Sequence, residues 1–567
     1  IFPEDLSRGM LAVFTISYLC SFSIFSPLAI LCYWAQLPLW IFSVGIGLLV
    51  IAGALDIAWH FRIRWSPTHS VVAAASLIVI SGDLILSGLY GGYLDGDSAY
   101  HMARIRMLLD HGFNNWDPYL YPHQFTGAYH TNIYHAIIAA ASELTGENFV
   151  QVWSTTLVWT KLITAGSHYY LGQRIFGSHR AGFLAALGAT LWTYNALPIN
   201  NSLRWIYLVL PHNFAPLWLI PLLIGLCMDL WKQPTKLTIL KLAMVVVVFA
   251  EIHALYTAYI IIFVVPLVCF YFVHNAIRRR SWQMTYVVAG LTCLLGLPFL
   301  FISVQGGAFL SGMQLKEKSS QLEMVKHVER NPTMGIQALL HIPVTEIIQN
   351  ARHAPAGRKM LFVKLSDGRT VVDPQDWWDP HKQQFWLLTA LLICLCLRDT
   401  RVVILTYFIG VAFLILHHPS AFTALMQQGH LRPWAVGRLD VIFVSAGYVV
   451  IPNAVVNFIS KFVQRGIVYL VVMAFMLFWG IEPRAADHFD WHTVRRRTKV
   501  KHLLHEQNVI RKFLPAGEVV LADAVEGKRL VQLHNSYVIV VNRLSPNLVG
   551  ISQRTYHLQK ILKKFTL

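Results

Sequence analysis

Leu94-Asp-Gly-Asp-Ser-Ala-Tyr-His-Met-Ala-Arg104 follows directly on a long apolar run, residues 71–90. Two carboxylates, Asp95 and Asp97, therefore stand one residue apart where the chain leaves a membrane-length segment. Paired oxygen donors at such a place suit a hard divalent cation, Mg²⁺ or Mn²⁺, and a bound cation suits a phosphate-bearing substrate. The same residues also read as local structure. Asp95-Gly96 makes a good turn, and Asp97 caps an amphipathic helix over 98–111 that stops at Gly112. The two roles are compatible, and both stand at this point.

The rest of the chain explains why that stretch lies at a membrane surface. Of 567 residues, 55% are hydrophobic and 13% charged, and the mean hydropathy is +0.50. Apolar stretches of roughly 17–22 residues recur, as in polytopic membrane proteins. About thirteen spans are expected, near 10–33, 37–58, 71–90, 151–171, 181–199, 214–230, 240–255, 256–274, 284–304, 385–397, 402–417, 439–458 and 466–482. The expected fold is thus an all-α polytopic membrane bundle, with a small α/β domain at the C-terminal end outside the cytoplasm.

Charge orients the bundle. Lys and Arg number 46 against 29 Asp and Glu, a net charge of +17. The excess sits in short loops, which argues against a nucleic-acid-binding face and fits topogenic charge with some attraction to anionic lipid. Arg62/Arg64, Arg174/Arg180, Lys232/Lys236/Lys241, Arg278-Arg279-Arg280, Arg398/Arg401 and Lys461/Arg465 all fall on one side, the cytoplasmic one by the positive-inside bias. The seven cysteines lie in apolar segments, so no disulfide framework, zinc site or haem attachment is expected. No cleavable signal peptide is expected, because a second apolar run follows closely on the first.

The domain plan follows. Residues 1–90 form N-terminal spans, 91–150 a first external loop with the acidic motif, and 151–304 the transmembrane core. Residues 305–384 form a long external loop with a strand-turn-strand signal at 361–372 around Asp367-Gly368. Residues 385–482 hold the last spans. Residues 483–567 hold a basic helical stretch, 494–513, then strand signals at 518–522 and 537–541 around a short helix near 527–533, too small for an independent enzyme.

This plan resembles that of GT-C glycosyltransferases. Asp97-Ser-Ala-Tyr-His101 is closest to the Asp-x-x-Tyr-His motif of oligosaccharyltransferase catalytic subunits, and Val344-Thr345-Glu346 resembles their short hydroxyl-plus-Glu motif. Trp377-Trp378-Asp379 resembles their acceptor-reading motif but precedes a span instead of lying in the C-terminal domain. Three spans, not one, precede the acidic motif, and residues 200–213 carry no acidic pair where oligosaccharyltransferases have one. The departures favour a different GT-C transferase over a protein-glycosylating one. The resemblance implies inverting transfer of a sugar from a polyprenyl-phosphate carrier to a glycan, lipid or protein acceptor on the extracytoplasmic face of the cell membrane, often with Mg²⁺ or Mn²⁺. It also implies that Asp97 is the motif aspartate, Asp95 its partner and Glu346 a further cation ligand.

Such chemistry needs a base for the acceptor, cations for the leaving phosphate and an in-line donor. Asp97 is the candidate base or metal ligand. Asp97, His101, Arg104 and Leu108 recur at i, i+4, i+7 and i+11, which puts three polar groups on one helical face, either a binding face or a solvated one. For the phosphate, Arg438 in His430-Leu-Arg432-Pro-Trp-Ala-Val-Gly-Arg438 ranks first, then Arg432, then Arg204 with His212. Each Arg also reads as a snorkelling residue at a helix end. Glu251 lies within a span and can supply the acidic partner missing from 200–213. Asp83, Lys161 and His168 read as hydrogen-bonding residues between helices. Among the 25 histidines no His-x-x-x-His or Cys-linked spacing stands out as a metal site, and they read mostly as interface residues. Two other classes compete: a transporter or flippase of lipid-linked sugars, which calls for repeated halves not visible in the sequence, and a non-catalytic GT-C-like subunit whose loops dock partners in a membrane complex.

Overall fold

The computed structural model describes residues 10–60, 70–94, 97–114, 116, 118, 132–192, 205–232, 235–252, 263, 266–267, 361–364, 370–373, 389, 392–393, 400–417, 439–480, 500–514, 519–520, 533 and 537–538. The described chain is mainly helical. In order it forms α1 (Met10–Trp34), α2 (Leu39–His60), α3 (Ser70–Tyr90), α4 (Asp97–His111), α5 (Ile133–Thr145), α6 (Phe149–Phe176) and α7 (His179–Trp192). After a 3-10 turn at Trp205–Val209 come α8 (Pro211–Lys232), α9 (Lys236–Ile252), α10 (Thr400–His417), α11 (Asp440–Ile459) and α12 (Arg465–Gly480), followed by α13 over 500–513. Three of these, Leu11–Trp34, Pro211–Lys232 and Asp440–Ile459, are long and apolar enough to cross a membrane. Outside the helices, strand 361–364 pairs antiparallel with 370–373, within the strand-turn-strand stretch, and 519–520 pairs parallel with 537–538. The spans expected at 256–274, 284–304 and 385–397 lie almost wholly outside the described residues.

Helix α6 is the hub. It packs on α1, α3, α4, α5, α7, α8 and α11. Its closest neighbour is α7, and small residues make the approach possible: a Cβ on Gly172 would come within 2.7 Å of the Ala185 Cβ, and one on Gly182 within 2.9 Å of the Tyr169 ring. Between α1 and α8, Trp218 stacks on Phe214 and meets Tyr18 and Phe22 edge-on. Apolar side chains also face outward, among them Leu48 and Leu55 on α2 and Ile78 and Ile85 on α3. Outward apolar surface on long helices is what a lipid solvent selects.

The helices run so that residues distant in sequence meet at two ends of the bundle. At one end Phe113 N–H donates to the Leu37 carbonyl, Gly92 N–H to the Ser154 carbonyl, Tyr134 O–H to the Val209 carbonyl and Asn132 to the Ile252 carbonyl. At the other, Arg174 pairs with Asp229 at 2.9 Å, Asn453 donates to the Ala181 carbonyl and the Arg180 guanidinium lies over Tyr469. Arg180, Lys232, Lys236 and Lys461 are exposed at this second end. Lys241 departs from the expected basic loop: it lies within the first turns of α9 and is buried. Among the described residues, the first end gathers parts of 91–150 and the second the turns around 174–182 and 229–236.

Candidate functional site

The site is assembled at the first end, around the start of α4. Gly91 closes α3, its N–H donating to the Ser87 carbonyl at 2.8 Å with φ at +71°, a conformation that favours glycine. Gly92 then passes so close to the 3-10 turn that a Cβ would meet the Val209 side chain at 2.1 Å. Trp153 of α6 donates to the Tyr93 carbonyl at 2.9 Å. The segment before the acidic motif is thus held against α6 on both flanks.

Helix α4 begins at Asp97, which is exposed and stands in the first turn, not one residue before it. A carboxylate there meets the free N–H groups of that turn favourably, as the local reading expects. The rest of its face is not solvated. His101 is 2% and Arg104 1% exposed, and Leu108 is buried with them. The i, i+4, i+7 pattern is therefore a buried polar stripe with Asp97 at its open end.

Five further elements surround that stripe. His101 Nδ1 lies 2.8 Å from Nε2 of His135 on α5, a hydrogen bond that two neutral imidazoles form with one donating and one accepting. The Trp153 ring stacks on His101 at 16° between planes, and the His212 ring of α8 lies 6.2 Å away. Burial pushes His101 down to about 3, and burial first, with the neighbouring Arg104 guanidinium adding to it, holds His135 well below its ordinary value. The imidazoles are neutral at pH 7. Arg104 donates to the Trp116 carbonyl and to the Asn114 carbonyl, which ties down the chain after α4. From α1, the Tyr33 hydroxyl feels both the Arg104 guanidinium and the Glu251 carboxylate of α9.

Local sequence explains how α5 delivers His135. Asn132 caps α5 by accepting from the His135 N–H, while its amide donates to the Ile252 carbonyl at 2.7 Å. One short side chain thus starts the helix and attaches it to α9 beside Glu251. Gly146 ends α5 in the left-handed region and Asn148 caps α6 at once.

Of the residues singled out from the sequence, the structure brings His101, Arg104, His212 and Glu251 to the end where Asp97 opens. Asp95, Glu346, Arg204, Arg432 and Arg438 lie outside the described residues, as do Trp377-Trp378-Asp379. Asp83 and Lys161 belong elsewhere: they form a buried ion pair at 2.5 Å that joins α3 to α6. His168 bonds within α6 to the Thr164 carbonyl. His135, Asn132, Tyr33 and Trp153 were missed. The capping pattern at Asn132 is the signal that was available; the 34-residue separation of His101 from His135 offers none.

Among the described residues no three His, Cys, Asp or Glu side chains are gathered as metal ligands. No protein-family model matches the chain, and no curated protein matches it.

Proposed function

We propose that this chain is a membrane glycosyltransferase of GT-C type that moves a sugar from a polyprenyl-phosphate donor to a glycan, lipid or protein acceptor at the extracytoplasmic face. The observation that carries this reading is the placement of Asp97. It is an exposed carboxylate at a helix start, mounted on a buried polar stripe at one end of a helical bundle. The two-ended meeting of the helices supports the alternating-span reading, about thirteen crossings in the cell membrane, and Gln507 of α13 supports a C-terminal α/β unit by bridging Asn148 and the Leu533 carbonyl.

In this reading Asp97 takes the acceptor hydroxyl proton as the acceptor oxygen bonds to the sugar's anomeric carbon. The carbon–oxygen bond to phosphate breaks and its electron pair leaves with the phosphate, inverting the centre. Asp95 assists Asp97, and Arg438, then Arg432 and Arg204, hold the leaving phosphate with His212. His101 and Arg104 fix the helix that carries the base, His101 through His135 and Arg104 through two carbonyls. A divalent cation, when bound, would sit on Asp97 and Asp95, with Glu346 or Glu251, and screen phosphate charge.

The test uses the full chain in nanodiscs with a panel of polyprenyl-phosphate hexoses, following release of polyprenyl phosphate. Asp97→Asn is expected to lower the rate by about 10²–10⁴ while the protein stays folded. Asparagine loses only the first-turn charge, worth about 0.3–1 kcal/mol to the helix. A fully active Asp97→Asn protein would leave Asp97 a local helix-start role alone.

A further inference from the structure

Helix α13 (500–513) carries a surface that the transfer reading does not use. Its inner face is settled: Leu503 and Gln507 are buried, and Gln507 accepts from Asn148, the cap of α6, at 2.7 Å. That contact places α13 at the same end of the bundle as Asp97. Its outer face is not neutral. Lys501, His502, His505, Arg511 and Lys512 are all exposed. Beside them two large apolar side chains project outward, Val509 at 40% and Phe513 at 81% exposure. The helix has one acidic residue, Glu506, which is bound to His502 at 3.1 Å.

Topogenic charge does not account for this surface, because it lies at the end opposite Arg180, Lys232 and Lys461. Basic residues interleaved with outward apolar ones are the pattern of a helix lying in the headgroup layer, where cations meet phosphates and rings sink toward the acyl chains. Other exposed aromatics stand at the same end, Trp34 closing α1 at 81% and Trp40 opening α2 at 58%. Amphipathic aromatic rings concentrate at this depth.

We infer that α13 is an interfacial helix whose Lys501, Arg511 and Lys512 bind anionic phospholipid headgroups of the leaflet bordering the Asp97 end, with Phe513 and Val509 inserted beside them. An acidic protein surface is the competing occupant, and it fits the charges but not an inserted Phe513.

The experiment places a photo-crosslinking amino acid at position 513 of the full chain. The protein is reconstituted in nanodiscs of phosphatidylcholine alone or with phosphatidylglycerol. Expected is a lipid adduct in both, enriched in phosphatidylglycerol over its share of the bilayer. The triple change Lys501→Gln, Arg511→Gln and Lys512→Gln should cut that enrichment about tenfold. Phe513 is 81% exposed, so its replacement leaves the packed face intact. An adduct to protein only, or to neither, overturns the inference, as does enrichment that the triple change leaves untouched. Transfer by the Asp97→Asn chain reports on the proposed function separately and does not enter this result.

Discussion

The two ends of the bundle use similar residue types in opposite ways. At the Asp97 end His101, Arg104 and His135 are nearly or wholly buried, and each is held by another buried group. At the basic end Arg174 and Asp229 keep 21% and 17% of their side chains exposed, with Tyr170 donating to the carboxylate. The second set is partly open to water and the first is closed to it. A buried polar contact costs much to lose because its partner stays desolvated, whereas a partly exposed ion pair contributes less. One end is therefore built for exact placement, and the other for charge.

The largest test of this contrast is its sidedness. Impermeant labelling of introduced cysteines in intact cells should reach Ala35→Cys and fail at Gln464→Cys, both exposed positions, an all-or-none difference. Equal labelling would collapse the two ends into one and remove the basis for an external Asp97. Next in size is Arg104→Ala, which strips charged donors from the Trp116 and Asn114 carbonyls. Hydrogen bonds to charged groups are worth about 1.5–3 kcal/mol each, so thermal unfolding in detergent should register a loss of about 3 kcal/mol.

Acid should divide the ends as well. His101 and His135 are held below the ordinary value of 6.5, so the unfolded chain binds more protons than the folded one as pH falls. Their contribution is fully present above about pH 6.5 and falls as the pH drops, for His101 toward about pH 3, at up to about 1.4 kcal/mol per pH unit for each group. Melting temperatures of wild type and a His101→Phe/His135→Phe chain should converge on acidification. A gap that stays constant between pH 7.5 and 5 contradicts the neutral pair. The smallest effect belongs to the basic end: Asp229→Asn should cost less than about 1 kcal/mol, with the difference shrinking in high salt.

Much of the architecture was readable because lipid imposes one strong rule, long apolar runs. Helices α1, α2, α3, α6, α8, α11 and α12 fall within a few residues of the runs expected from composition. The amphipathic helix after Asp95-Gly96 was readable from its caps, one residue apart from where it begins. What periodicity left open was the polarity of the α4 stripe, since a solvated face and a buried one have the same spacing. Lys241 shows the converse failure: a lysine near a helix start reads as loop charge until packing buries it.

By itself the sequence determined where most of the described helices run, that some of them are long and apolar enough to cross a membrane, and that a helix opens at Asp97. Those properties depend on residues near one another along the chain. Only the tertiary structure decided that His101 finds His135, that Arg104 closes on Trp116 and Asn114, that Asp83 meets Lys161 and that α13 docks through Gln507 on Asn148. The pairs that join one helix to another depend on how those helices cross, and Arg104 on how the chain turns back after α4. Crossings follow from shape, as at Gly172 against Ala185, and no spacing within a single segment encodes them.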